Sequence, residues 1–271
     1  MRLYPNRIVV KVGTSTLTNE AGKCDLRAFD RLACVLSDMH NQGHEVILVS
    51  FGAIAVGANK LKLQKPPSAL RMKQAAAAVG QCGIMFLYDR FFSDYDKMIA
   101  QILLSAEDME QEEKKENLVN TFNALLEMGV IPIVNENDSV SYTEIESEDR
   151  LFGDNDMLSA VVAALCGARR LVILSDIDAL YDADPRLHPE ARPISRIERI
   201  DDAVYALAGG AGSRRGRGGM KTKLRAAELA TARGIDTVIT NGRAPEALYE
   251  IVRGNAAGTL FAGRASRGQR A

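Results

Sequence analysis

One recurring pattern constrains this chain more than any other. A nearly continuous apolar run of five or six residues stops on small or polar residues, and a helical stretch follows. Residues 7–12 (RIVVKV), 45–49 (EVILV), 130–134 (VIPIV), 170–174 (RLVIL) and 235–239 (IDTVI) are such runs, and residues 97–104 make a sixth. Runs that lack polar alternation read as strands buried on both faces, the habit of parallel sheets. Helical patterns fill the gaps. Residues 25–41 place Leu26, Phe29, Leu32, Leu36 and Met39 on one stripe, and Gly43 closes that helix. Residues 54–61, 69–93, 117–128, 200–208, 220–233 and 245–252 read as further helices, the second of them carrying the small-residue patch AAAAVGQ. Strands alternating with helices predict an α/β fold, a three-layer α/β/α sandwich around a mostly parallel central sheet.

Composition narrows the function. With 271 residues, 46% of them hydrophobic, the chain can bury a large core. A net charge of −1 argues against commitment to nucleic acid or an anionic membrane, and Arg214, Arg215 and Arg217 are only a local basic cluster. The longest weakly polar run, residues 157–168, is too short to span a bilayer. No signal-peptide pattern opens the chain, so a cytoplasmic protein is expected. Cys24, Cys34, Cys82 and Cys166 form no CxxC pair, and His40, His44 and His188 form no HExxH. Neither a protein-held metal nor histidine catalysis is therefore expected.

In an open parallel sheet, ligands sit beyond the carboxyl ends of the strands. Four such ends stand out here: Lys11 with Gly13-Thr14-Ser15-Thr16, Ser50-Phe51-Gly52-Ala53, Asn135-Glu136-Asn137-Asp138-Ser139, and Ser175-Asp176-Ile177-Asp178. A Gly153-Asp154-Asn155-Asp156 turn opens an apolar helix that Gly167 closes. Residues 209–219, rich in glycine and arginine, could be a flexible linker. They run directly into Met220-Lys221-Thr222-Lys223 and a helix, and glycines, cations and a helix N-terminus together make a phosphate cradle. Residues 140–151 carry Glu144, Glu146, Glu148 and Asp149 and read as an exposed hairpin or lid. GxxxxGK[ST], GxGxxG after a strand, and GxSxG are all absent. Two lysines far apart in sequence, Lys11 and Lys223, with glycine-rich turns and carboxylates at strand ends, suit phosphoryl transfer, which needs positioning and cations more than covalent chemistry.

Seven motifs then resemble the amino acid kinase family, and within it the glutamate 5-kinases. They are VVKVGTSTLT from residue 9, VSFGAIAVG from 49, QAAAAVGQ from 74, PIVNENDSV from 132, FGDNDMLSA from 152, LSDIDALYDADPR from 174 and GGMKTKLRAA from 218. They occur in family order over nearly the whole chain. The resemblance implies transfer of the ATP γ-phosphoryl group to the γ-carboxylate of L-glutamate, giving L-glutamyl 5-phosphate at the entry to proline biosynthesis. Carried over, Lys11 and Lys223 stabilise the transferred group and Asp156 orients them. Asp138, Asn155, Gly52 and Ala53 hold glutamate. Gly13, Ser175, Asp176 and the stretch Gly218, Gly219, Met220, Lys221, Thr222 and Lys223 line the nucleotide site, with Lys11. Mg²⁺ bridges the ATP phosphates. The resemblance also implies a homo-oligomer (dimer or tetramer), feedback by L-proline at the glutamate site, and residues 141–149 as a candidate gate.

The expected organisation is a single kinase domain over residues 1–262, in the short form without a C-terminal PUA domain. Its acceptor lobe is expected at about 1–168, its nucleotide lobe at about 169–262, and a basic tail follows at 263–271. The chain departs from the family at Phe51, where a serine usually contacts glutamate, and at Arg217 within the glycine loop. Phe51 leaves two alternatives to a glutamate kinase: a related kinase with another acceptor, or a nucleotide-binding regulator with a damaged acceptor site.

Overall fold

In the computed structural model, which describes residues 2–19, 22–140, 155–208 and 219–264, every expected apolar run is a strand. The acidic segment at 141–149, the turn residues Gly153 and Asp154, Gly218, the glycine–arginine loop through Arg217, and most of the basic tail fall outside the described residues. The chain packs into two compact units, Val12–Gly153 and a discontinuous one made of Met1–Lys11 with Asp154–Ala271. Strand β1 (Tyr4–Val12) supplies all but its last residue to the discontinuous unit.

The Val12–Gly153 unit continues with α1 (Thr14–Leu17), α2 (Leu26–Asn41), β2 (Glu45–Ser50), α3 (Ala53–Lys60), α4 (Leu70–Asp94), β3 (Ile99–Leu104), α5 (Glu112–Glu127) and β4 (Ile131–Glu136). Its strands run in the order β3-β4-β2, all parallel. The Asp25 side chain caps α2 by accepting from the N–H groups of Arg27 and Ala28. Phe29, Leu32, Leu36 and Met39 are buried as their spacing predicts, whereas Leu26, the first helical residue, is half exposed. The charged stretch near residue 110 spans two elements. Ser105 and Asp108 form a capping box over a short 3₁₀ turn, Ala106–Met109, before α5 begins.

The small-residue patch on α4 has a definite use. A Cβ on Gly80 would lie 1.8 Å from the Ala53 carbonyl oxygen, and one on Gly57 would lie 1.7 Å from that of Ala76. Helices α3 and α4 therefore cross backbone to backbone, and no larger residue fits at either glycine.

The discontinuous unit adds α6 (Asn155–Leu165), β5 (Ala168–Ser175), β6 (Leu180–Tyr181), β7 (Pro193–Ile194), β8 (Arg196–Ile197), α7 (Asp202–Leu207), α8 (Met220–Thr231), β9 (Asp236–Asn241), α9 (Ala247–Arg253) and β10 (Thr259–Phe261). Its main strand order is β1-β5-β9-β10-β8, with β5 and β9 parallel. Strand β10, antiparallel to β9, was not legible in the sequence, because three residues are too few to show a period. Arg7 is buried on β1. Its guanidinium donates to the Cys166 carbonyl at 2.6 Å and lies 3.9 Å from the Tyr4 ring centroid, so the buried cation is answered by a dipole and a π face. Among the described residues, no helix is long and apolar enough to cross a membrane.

Candidate active site

Three charged side chains of the discontinuous unit meet in its interior. Lys11 is the next-to-last residue of β1, Asp156 the second residue of α6, and Lys223 stands in the first turn of α8. Lys11 Nζ lies 2.7 Å from Asp156 Oδ1, and Lys223 Nζ lies 3.1 Å from Oδ2. Relative exposure is 6% for Lys11, 2% for Asp156 and 6% for Lys223, so all three charges are held out of water. Burial by itself raises the Asp156 carboxyl. The ammonium of Lys11, then that of Lys223, outweigh it and hold the group at about 2. Asp156 is thus a carboxylate at any physiological pH, and its two oxygens fix the two ammonium groups as a pair. Thr222 Oγ1 lies 3.1 Å from Asp156 Oδ2 and 2.9 Å from the Gly219 carbonyl oxygen, sharing one proton between two acceptors.

The other residues expected to line the nucleotide site, Gly13 aside, belong to the same unit. Ser175 ends β5, is buried, and donates from Oγ to Asp176 Oδ1 at 3.1 Å. Its carbonyl accepts from the Gly242 N–H at 2.7 Å, while Asp176 itself is exposed. Gly219 is the N-cap of α8, and Met220, Lys221, Thr222 and Lys223 form the first turn, with Lys221 exposed. The first N–H groups of a helix have no intrahelical acceptor and carry its positive dipole end. Asn155, exposed, precedes Asp156 at the start of α6.

The residues expected to hold the acceptor, Asn155 aside, belong to the Val12–Gly153 unit, as does Gly13 of the expected nucleotide site. Gly13 caps α1, and Gly52 caps α3 with φ of +118°, a backbone that an L side chain rarely adopts. A Cβ on Gly52 would come within 3.2 Å of Thr14 Oγ1, so the two glycine turns lie together. Ala53 is the buried first residue of α3. Phe51 is only 4% exposed, and its N–H donates to the Val12 carbonyl at 3.3 Å. Asp138 follows β4 and is half-buried. Burial, and then the neighbouring Glu136 carboxylate, push its carboxyl up to about 6.

The structure therefore gathers Lys11, Asp156, Thr222 and Lys223 into one cluster, and Gly13 with Gly52 into one pair of turns. Two contacts escaped the sequence reading. The Thr222 hydroxyl supports Asp156, for which its place beside Lys223 was the available signal. Asn135, on β4, donates to Gln81 Oε1 at 2.9 Å, a contact between residues 54 apart that no local pattern announces.

A model of the amino acid kinase family matches residues 6–241, a span that contains all seven motifs. The chain belongs to the amino acid kinase family. Curated relatives include a glutamate 5-kinase of Clostridium perfringens, 52% identical over 255 residues that cover 94% of this chain and 94% of the relative. One of Enterococcus faecalis is 48% identical over 255 residues, with the same coverage. Among solved structures, carbamate kinase from Giardia lamblia bound to AMP-PNP aligns with a TM-score of 0.67 at 17% identity, covering 96% of this chain and 99% of that one. UMP kinase from Bacillus anthracis aligns at 0.64 and 14%, covering 97% and 98%. At such identities the likeness speaks to fold, and it agrees with the mostly parallel α/β class expected from the strand pattern of this amino acid kinase-family chain.

Proposed function

We propose that this protein phosphorylates the γ-carboxylate of L-glutamate with ATP, forming L-glutamyl 5-phosphate for proline biosynthesis. The observation that carries the phosphoryl-transfer step is the buried Lys11–Asp156–Lys223 cluster. A carboxylate clamped between two ammonium groups presents them as a rigid pair. Such a pair needs no reorganisation when charge builds on the transferred phosphoryl oxygens. In this reading Asp156 orients, and Lys11 and Lys223 touch the group in flight. The first turn of α8, Gly219 to Lys223, together with Gly13, offers backbone N–H groups to phosphate oxygens, and Gly218 extends that stretch. Ser175 and Asp176 face the nucleotide. Asp138 takes the ammonium of glutamate, Asn155 and the Gly52–Ala53 turn its carboxylates. Acceptor residues thus fall before about residue 168 and nucleotide residues after it, Lys11 and Gly13 aside.

Mg²⁺ enters this scheme on the nucleotide. Among the described residues no three His, Cys, Asp or Glu side chains gather to hold an ion. The cationic lining fits a metal carried by substrate phosphates, the usual manner for Mg²⁺. The ion supplies charge neutralisation at the phosphates. Both substrates are cytoplasmic metabolites, which agrees with the expected location. L-Proline, an amino acid with one carboxylate, fits the Asp138 side of the site as a feedback ligand.

The altered-acceptor reading depended on Phe51 forming an apolar wall. A ring that is 4% exposed presents little surface to any ligand, which favours glutamate. A homo-oligomer is supported by α4. Met72, Ala75, Val79, Cys82 and Phe86 follow a 3-4-3-4 spacing and all are exposed, Phe86 at 66%. Side-chain size along that stripe is nearly symmetric about Val79, so an antiparallel second copy would match large with large and small with small.

Coupled ADP release with L-glutamate and Mg-ATP, with the acyl phosphate trapped by hydroxylamine, tests the assignment. Glutamate-dependent ADP release with matching hydroxamate is expected. No ADP above background at saturating glutamate refutes it.

A further inference from the structure

Helix α4 reaches the sheet of its own unit with two polar side chains, Gln81 and Tyr88, two helical turns apart. Each grips the end of a different strand. Ser50 Oγ and Tyr88 Oη are 2.8 Å apart, and Asn135 Nδ2 donates to Gln81 Oε1 at 2.9 Å. The two gripped residues are neighbours. Strands β2 and β4 pair in parallel with Leu48 beside Ile133 and Val49 beside Val134, and the same register continued by one step sets Ser50 beside Asn135. Side chains alternate along a strand, so Ser50 and Asn135 share the face that α4 covers. Immediately downstream lie the two acceptor-side turns, Phe51-Gly52-Ala53 and Asn137-Asp138. The same helix meets α3 backbone to backbone at the glycine crossing.

The amide of Asn135 is the telling group. Asn135 is 2% exposed, its Nδ2 is committed to Gln81, and its Oδ1 is buried with no hydrogen-bond partner among the described residues. A buried acceptor left unmade is rare and unfavourable, and a water or a ligand donor that reaches it is stabilising. An amide can present either its oxygen or its nitrogen, and Gln81 decides which. Because Gln81 offers an oxygen to Asn135, the nitrogen turns towards the helix and the Oδ1 lone pairs stay uncommitted.

We propose that Gln81 is a positioning residue for the acceptor. It never touches the substrate. By taking the Asn135 N–H it fixes Oδ1 as a hydrogen-bond acceptor for an ammonium, and so helps select an amino acid over a plain dicarboxylate. This rests on the glutamate reading above and extends it to the source of amino-group selectivity.

Two substitutions separate this role from simple packing. Gln81→Glu keeps an acceptor facing Asn135, whereas Gln81→Met keeps the volume and removes the acceptor. For Q81E the KM for L-glutamate stays within about threefold of wild type. For Q81M it rises roughly tenfold, the size expected when one hydrogen bond to a charged group is lost. In both, kcat and the KM for ATP hold within about twofold. The inhibition constant of glutarate, the same diacid without the ammonium, also holds in both. Q81L replaces Q81M if the latter does not fold, with the same expectation. A wild-type enzyme inert towards glutamate overturns the function and this inference together. An active wild type whose Q81M and Q81L variants keep the glutamate KM, or shift glutarate equally, overturns the role of Gln81 alone.

Discussion

Replacing Asp138 by Asn should make this protein more stable and a poorer enzyme at once. The Asp138 carboxyl is raised from 3.8 to about 6, first by burial and then by Glu136. A folded-state value above the unfolded one means that ionisation opposes folding. The penalty is absent below about pH 4, grows as pH climbs through 6, and is complete above it. The shift corresponds to roughly 3 kcal/mol at about 1.4 kcal/mol per pH unit. Asp138 keeps some contact with water, and screening reduces this to about 1–2 kcal/mol. D138N should therefore melt about 2–6 °C higher than wild type at pH 7.5, by calorimetry or dye-based melting. At pH 4.5, where the folded wild-type carboxyl is already protonated, the gap should shrink to about a third. In the proposed function glutamate reverses the logic, because its ammonium would compensate the buried carboxylate. D138N should raise the KM for glutamate by tenfold or more and lose the glutamate-induced rise in Tm, and the wild-type KM should climb as pH falls below 6. A variant that melts lower than wild type at pH 7.5, or is stabilised equally at both pH values, would falsify the electrostatic account.

Three further outcomes follow from the packing and the charges. Asp156→Asn should lower kcat by about a hundredfold or more with the glutamate KM within about threefold, since the two lysines lose their common anchor. It should also destabilise by about 3 kcal/mol or more, having left two buried ammonium groups without that carboxylate. The wild-type contribution of Asp156, whose carboxyl is held at about 2, is fully present above pH 4 and is lost as pH falls towards 2. Acid titration of the D156N fold should lack that component, and unaltered acid sensitivity would count against it. Gly80→Ala should cost several kcal/mol or abolish soluble expression, because its methyl would sit 1.8 Å from the Ala53 carbonyl oxygen; normal melting would show that the crossing can relax. Ala75→Cys should form intermolecular disulfides with Cys82 of a second copy under mild oxidation, while wild-type Cys82, offset from itself in an antiparallel pair, should not; a monomer by light scattering defeats the α4 interface.

How much was legible in advance varied with the range of the interaction. Strands such as β2 and β5 announced themselves, because burial on both faces writes an unbroken apolar run. Helix α2 did so through its stripe and its Asp25 cap. Lys11 and Lys223 stood out beside glycine-rich turns, but that they meet at Asp156 was legible only through motifs that resemble a family, since residues 67 and more apart carry no local sign that they will meet. The Gln81–Asn135 contact had neither a period nor a motif role to betray it. Phe51 was the reverse case: its chemistry was plain, and its burial was not. The length of β10 hid it, and the run of charges around residue 110 hid the capping box at Ser105 and Asp108.

The division of the chain gives the charged cluster a further significance. Residues 12–153 are an insertion in the other unit, entered after Lys11 and left before Asp154. The 2.7 Å ion pair joins Lys11, the last residue before the insertion, to Asp156, just after it. It is thus an electrostatic clasp across the mouth of a very long loop. Closing such a loop carries an entropy cost that grows with its length, and the clasp offsets part of it close to where the chain leaves and re-enters the unit. Lys11 and Asp156 would then serve topology as well as chemistry, and the cluster's geometry would survive a circular permutation that opens the chain inside residues 12–153.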